Sequence, residues 1–157
     1  MAILGGHATA AREQYLALES QRGLMLVLGG MSNDRLLGLL AQTMDNLDQA
    51  TIHFEDALAF CRKSGYRPEL AWSCCDYADA LLVRNCPGDS PKAKALLGES
   101  LTISSELGMR PLMEKVEARL AGLPDRVSRT RIPQRPVPPG GGGAAPHSRR
   151  QHRPGDC

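Results

Sequence analysis

The chain says nearly the same thing twice, and this duplication restricts its fold more than any other feature. Residues 35–68 and 72–111 close on matching phrases, Gly65-Tyr66-Arg67-Pro68 and Gly108-Met109-Arg110-Pro111, set 43 residues apart. A fixed period of that size marks a helical array in which one unit cannot bury its own apolar face and must stack on the next.

The apolar spacing supports helices throughout. Residues 7–21 read as an amphipathic helix with Ala11, Tyr15, Leu16 and Leu18 on its apolar face, ended by Gly23. Residues 23–31 are apolar without a helical period and read as a buried, extended connector. Ser32 suits an N-cap, because its hydroxyl can accept from a free first-turn amide. The helix it opens runs to about Met44 and carries Leu36, Leu37, Leu40 and Ala41. After the Asp45-Asn46 turn, a second helix spans about 47–64, with Ala50, Phe54, Ala57, Leu58 and Cys61 recurring at three and four residues. Gly65 ends it, since glycine enters the left-handed region without a Cβ penalty. Pro68 starts the next helix, where its missing N–H is harmless, and Glu69 faces the positive end of the dipole. A loop at 85–89 leads to Ser90-Pro91, a second cap-plus-proline start, and that helix ends at Gly108. Pro111 opens a last helix with Leu112, Met113, Val116 and Leu120 inward.

Charge divides the chain. Residues 1–123 carry 12 Lys/Arg against 15 Asp/Glu, whereas 124–157 carry 7 Arg against 2 Asp. That tail of Arg, Pro and Gly is expected to be disordered. It reads as a solvated linker, a basic binding arm, or what a GC-rich gene gives out of frame; it lacks interleaved aromatics, which argues against nucleic acid. The expected organisation is therefore a half-repeat helix and connector over 1–31, an all-α repeat domain over 32–123 and a tail over 124–157. The five cysteines form no C-x-x-C pair and read as buried reduced thiols. With no secretory pattern and no apolar run of spanning length, a cytoplasmic protein without a membrane partner is expected.

The copies also align at their small residues. Leu37-Gly38 corresponds to Tyr77-Ala78 and to Leu120-Ala121, and Ala50, Phe54 and Ala57 correspond to Ala93, Leu97 and Ser100. Small residues at a helix crossing let two backbones approach closely, while large neighbours fill the groove to the next hairpin. This set resembles the tetratricopeptide repeat, departing from it by Ser100 in place of Ala and by three extra residues in the 85–90 loop. The segments HFEDALAFCRKSGYRPELAW and LLGESLTISSELGMRP are similar to the C-terminal repeat region of bacterial signal-transduction ATPases, class III nucleotide cyclases and MalT-like regulators. The resemblance implies antiparallel helical hairpins stacked as a short superhelix. It also implies a non-catalytic module that binds a protein partner or regulates an attached signalling domain. The alternative it leaves open is a piece of a cyclase or ATPase regulator whose catalytic domain is absent here. Such a piece would expose apolar surface at its N-terminal half repeat and self-associate through repeat ends.

By the family pattern, a concave face would present Arg35, Gln42, Trp72 and Asp79 as binding residues; the plainer reading of Trp72 is packing between hairpins. No catalytic constellation, metal site or cofactor motif is read. His53 and Asp56 share a helix face without further ligands and are taken as solvated surface. Cys74-Cys75-Asp76 has no visible base, and the Gly140–Gly143 run lacks the strand, helix and Lys of a phosphate loop.

Overall fold

The computed structural model describes residues 2–26 and 30–123. The tail from 124 onward lies outside those residues, as does the middle of the connector. Six α-helices account for most of the described chain: α1 (Ala2–Leu18), α2 (Asn33–Thr43), α3 (Leu47–Ser64), α4 (Arg67–Arg84), α5 (Asp89–Glu106) and α6 (Arg110–Gly122). A 3₁₀ turn at Glu19–Gln21 and a two-residue antiparallel ladder, β1 (Met25–Leu26) with β2 (Met31–Ser32), join α1 to α2. The fold is all-α.

Local chemistry sets the helix ends. Ser32 Oγ accepts from the Arg35 amide at 3.1 Å, and Asn46 Oδ1 accepts from the Gln49 amide at 3.3 Å, each satisfying a first-turn donor. Gly65 and Gly108 close α3 and α5 at φ of 71° and 67°, the left-handed conformation that the shared phrase requires.

Four local expectations need correction. Helix α1 begins at Ala2 rather than near His7, and Leu16 is 61% exposed. Ala11, Tyr15 and Leu18 recur at four and three residues on the packed face, whereas Leu16 is rotated about 100° from Tyr15. In the connector, the Leu24 carbonyl accepts from the Asn33 amide while its side chain is 57% exposed, so the backbone is held and the side chain is not buried. Finally, Ser90 does not cap α5. The helix starts one residue earlier, with Gly88 at φ 94°. The buried Asp89 carboxylate accepts from the Cys86 amide at 2.9 Å and from Arg84 at 2.6 and 2.9 Å. A carboxylate held by a guanidinium and an amide outcompetes a neutral hydroxyl for control of the turn.

Side-chain pairs give the helix directions. Thr51 meets Arg84 and Glu55 meets Tyr77, so α3 and α4 run antiparallel. Tyr77 meets Lys92, Ala71 meets Ser100 and Arg67 meets Glu106, so α4 and α5 do too. Alternate helices run parallel: Glu55 meets Lys92 and Arg62 meets Glu99 between α3 and α5, while Asp76 meets Lys115 and Asp79 meets Arg119 between α4 and α6. Tyr15 meets His53 and so joins α1 to α3. The chain therefore builds two layers, α1–α3–α5 and α2–α4–α6, from stacked hairpins.

The residues that define the repeat occupy the core. Leu37, Gly38, Ala50, Phe54, Ala57, Tyr77, Ala78, Ala93, Leu97 and Ser100 are all buried. A Cβ on Gly38 would lie 2.9 Å from the Phe54 ring, so only glycine permits this crossing. Phe54 in turn stacks on Tyr77 with centroids 5.7 Å apart. Ser100, the departure from Ala, donates its hydroxyl to the Ala71 carbonyl at 2.7 Å and pins α5 to α4. At the last helix the pattern loosens: Leu120 is half-buried and Ala121 exposed, because among the described residues no further helix follows α6.

Candidate functional site

The α2–α4–α6 layer carries a polar network centred on Arg35. Its guanidinium donates to Asp76 Oδ2 through Nε at 2.8 Å and to Glu69 Oε2 through Nη1 at 2.9 Å. Glu69 also accepts from the Ser32 amide at 2.8 Å, so the first turn of α2 is tied to the first turn of α4. Lys115 on α6 donates to the other Asp76 oxygen at 3.0 Å, and Arg119 donates to Asp79 at 2.7 Å. Trp72 sits half-buried with two cations near its ring, Arg35 at 5.4 Å and Lys115 at 5.6 Å from the centroid. Burial raises the Glu69 carboxyl above its ordinary pKa, with the Arg35 charge opposing the shift.

Three of the four residues expected on a concave binding face thus lie in one network. Arg35 is buried and fully engaged with carboxylates, so its charge holds helices together. Asp79 is half-buried beneath Arg119. Trp72 is half-buried, with Arg35 of α2 and Lys115 of α6 near its ring. Gln42 stands apart, half-buried two turns along α2 from Arg35, roughly 10 Å away by helix rise. Of the residues central to the network, Asp76 is named from sequence only beside the cysteines, and Lys115 is not named. Their signal was charge complementarity at one repeat spacing, with Arg35 and Asp76 separated by 41 residues and Asp76 and Lys115 by 39.

The other layer holds the second polar cluster, and it contradicts the surface reading of His53. That side chain is fully buried, with its Nε2 2.7 Å from Tyr15 Oη and 3.2 Å from Gln49 Nε2. Burial lowers the imidazole pKa, which favours the neutral ring. Cys61, Cys74 and Cys75 are buried free thiols. Burial pushes Cys61 and Cys75 up to about 11 and Cys74 higher still, so none is poised as a nucleophile.

No protein-family model, curated protein or solved structure matches this chain. Among the described residues no helix is long and apolar enough to cross a membrane.

Proposed function

We propose that this chain is a non-catalytic, protein-binding module built from tetratricopeptide-like hairpins, serving to regulate a partner or attached domain of a signalling system. One observation carries the reading. The α2–α4–α6 layer is cross-braced by the Arg35–Glu69–Asp76–Lys115 network and Trp72, which gives a rigid frame on which Leu39, Gln42 and Leu82 stay partly exposed. A preorganised surface loses little side-chain and backbone freedom on binding. Buried, unreactive thiols add nothing toward turnover.

A photo-crosslinking amino acid placed at Gln42 or Leu82 tests this reading against the same group at Lys63 on α3. Adducts with a protein partner should concentrate at the first two positions. Equal labelling at all three, or none at any, overturns it.

The second reading, a regulatory repeat of a longer signalling enzyme, is favoured by Leu16 and Leu24, exposed at the α1 end where a preceding hairpin would stack. Light scattering on the full chain distinguishes the two. Self-association abolished by Leu16→Glu supports the second reading, and a monomer at high concentration refutes it.

A further inference from the structure

Among the described residues, two groups of side chains bring three metal-binding atoms within 4.8 Å of one another: Cys75, Asp76 and Asp79 on α4, and Asp34, His53 and Asp56 across α2 and α3. The first is already satisfied by cations, because Arg35, Lys115 and Arg119 all reach its carboxylates. The second is not. Among the described residues the cation it pairs with is Arg22, whose Nη2 pairs with Asp56 and whose Nε stands 3.7 Å from Asp34 Oδ1, too far for a hydrogen bond. Arg22 is also 42% exposed in its side chain, so it can swing away into water.

Orphaned polar atoms gather at this second group. Asp34 Oδ1 and His53 Nδ1 are both buried with no hydrogen-bond partner. Buried polar atoms in folded proteins are nearly always paired, so two such atoms within one group of ligating side chains point to a ligand between them. The other Asp34 oxygen is fixed by the Gly23 amide at 2.8 Å. His53 Nε2 lies 2.7 Å from Tyr15 Oη and 3.2 Å from the Gln49 side-chain amide; a ring that donates its Nε2 proton to the Tyr15 oxygen keeps the Nδ1 lone pair free for a metal.

We propose that Asp34, His53 through Nδ1, and Asp56 form a binding site for a divalent ion of the zinc class. One imidazole nitrogen and two carboxylate oxygens suit such an ion, and water would complete a tetrahedral shell. Bonds of about 2.0–2.2 Å set donors roughly 3.5 Å apart, so any of these atoms that starts wider, inside the 4.8 Å bound, must move in. Asp56, with 48% of its side chain exposed, and the displaced Arg22 supply that movement. The ion would replace the guanidinium as the countercharge and fasten α2 to α3 beneath the α1 junction. This site is independent of the protein-binding layer on α2–α4–α6.

The test is Zn²⁺ titration of the full chain, freed of metal, by calorimetry, with Co²⁺ as an optical probe. One saturable site is expected, and the bound Co²⁺ should show no thiolate charge-transfer band. Asp56→Asn, at an exposed position, should weaken binding at least tenfold. Arg22→Gln removes the competing cation and should strengthen it several-fold. His53→Gln should abolish binding; if that variant does not fold, the Asp56 and Arg22 variants decide alone. Absence of saturable uptake overturns the proposal and leaves a buried water as the missing partner. So does uptake that Asp56→Asn and Arg22→Gln leave unchanged, or a thiolate band, since the ion then sits elsewhere.

Discussion

Replacing Gly38 by alanine sets two known effects against each other, and the structure decides which wins. Within a helix, Gly→Ala ordinarily gains about 1 kcal/mol, because alanine loses less backbone entropy on folding. At position 38 the added methyl would lie 2.9 Å from Cε1 and Cζ of Phe54 and 3.0 Å from Cδ1. The ring cannot retreat, being fully buried and stacked on Tyr77, itself 1% exposed. Forcing a methyl into such a core costs about 1–3 kcal/mol, so the net expectation is a loss of up to about 2 kcal/mol.

Gly98, mid-way along α5, provides the control. Nothing lies within 4 Å of a Cβ there, so Gly98→Ala should stabilise by up to about 1 kcal/mol. Urea denaturation of the full chain and both variants would measure the contrast, about 1–3 kcal/mol between identical substitutions. Shortening the ring in the double variant Gly38→Ala/Phe54→Leu should recover part of the loss, as coupled neighbours do. If Gly38→Ala stabilises as much as Gly98→Ala, the close α2–α3 crossing is refuted.

Three further outcomes follow from the polar interior. Arg35→Ala strips Glu69 of its cation, leaves Asp76 with Lys115 alone, and should cost about 3–5 kcal/mol in urea unfolding; adding Glu69→Gln should restore part of it, and additive losses would mean that the two do not interact. Asp89→Asn should cost about 2 kcal/mol at pH 7, since its carboxylate accepts from Arg84 and the Cys86 amide, and the variant is compared with the parent from pH 7 to pH 2. Those bonds hold the Asp89 pKa below its usual value, so the stabilisation is full above the unfolded pKa of about 4, fades as pH falls through the folded pKa, and should take the difference between the proteins with it. Cys61, Cys74 and Cys75 should resist a thiol reagent at pH 8 until denaturant unfolds the chain, with sites assigned by peptide mass mapping; rapid labelling of any of them in the native state contradicts their burial.

The helices were legible in the sequence because their signals are local. A Ser before a periodic run, a glycine after it and a proline in the first turn each act within a few residues, and Ser32, Gly65, Pro68 and Gly108 behave accordingly. The failures lie where a distant partner decides. Ser90 stands directly before Pro91, the local signature of a helix start, yet Asp89 governs the turn because Arg84 faces it from the previous helix. Position 53 looks like surface when read along α3 alone, yet α1 covers it and Tyr15 meets it. Arg35 looks like a residue offered to a partner, yet α4 supplies two carboxylates to receive it.

The repeat period itself contains much of that missing information. In a stacked array, residues one unit apart lie on neighbouring parallel helices and face each other. In one layer Tyr15 and His53 are separated by 38 residues, and Glu55–Lys92 and Arg62–Glu99 each by 37. In the other, Asp76–Lys115 and Asp79–Arg119 are separated by 39 and 40. Four of these five pairs join opposite charges, so the period that places the apolar core also matches its polar partners when applied to charged residues. Asp34 fits that logic by exception. Its neighbours across the stack supply only a distant, partly exposed guanidinium, and that unfilled place in the repeat's charge pairing is where an ion would complete it.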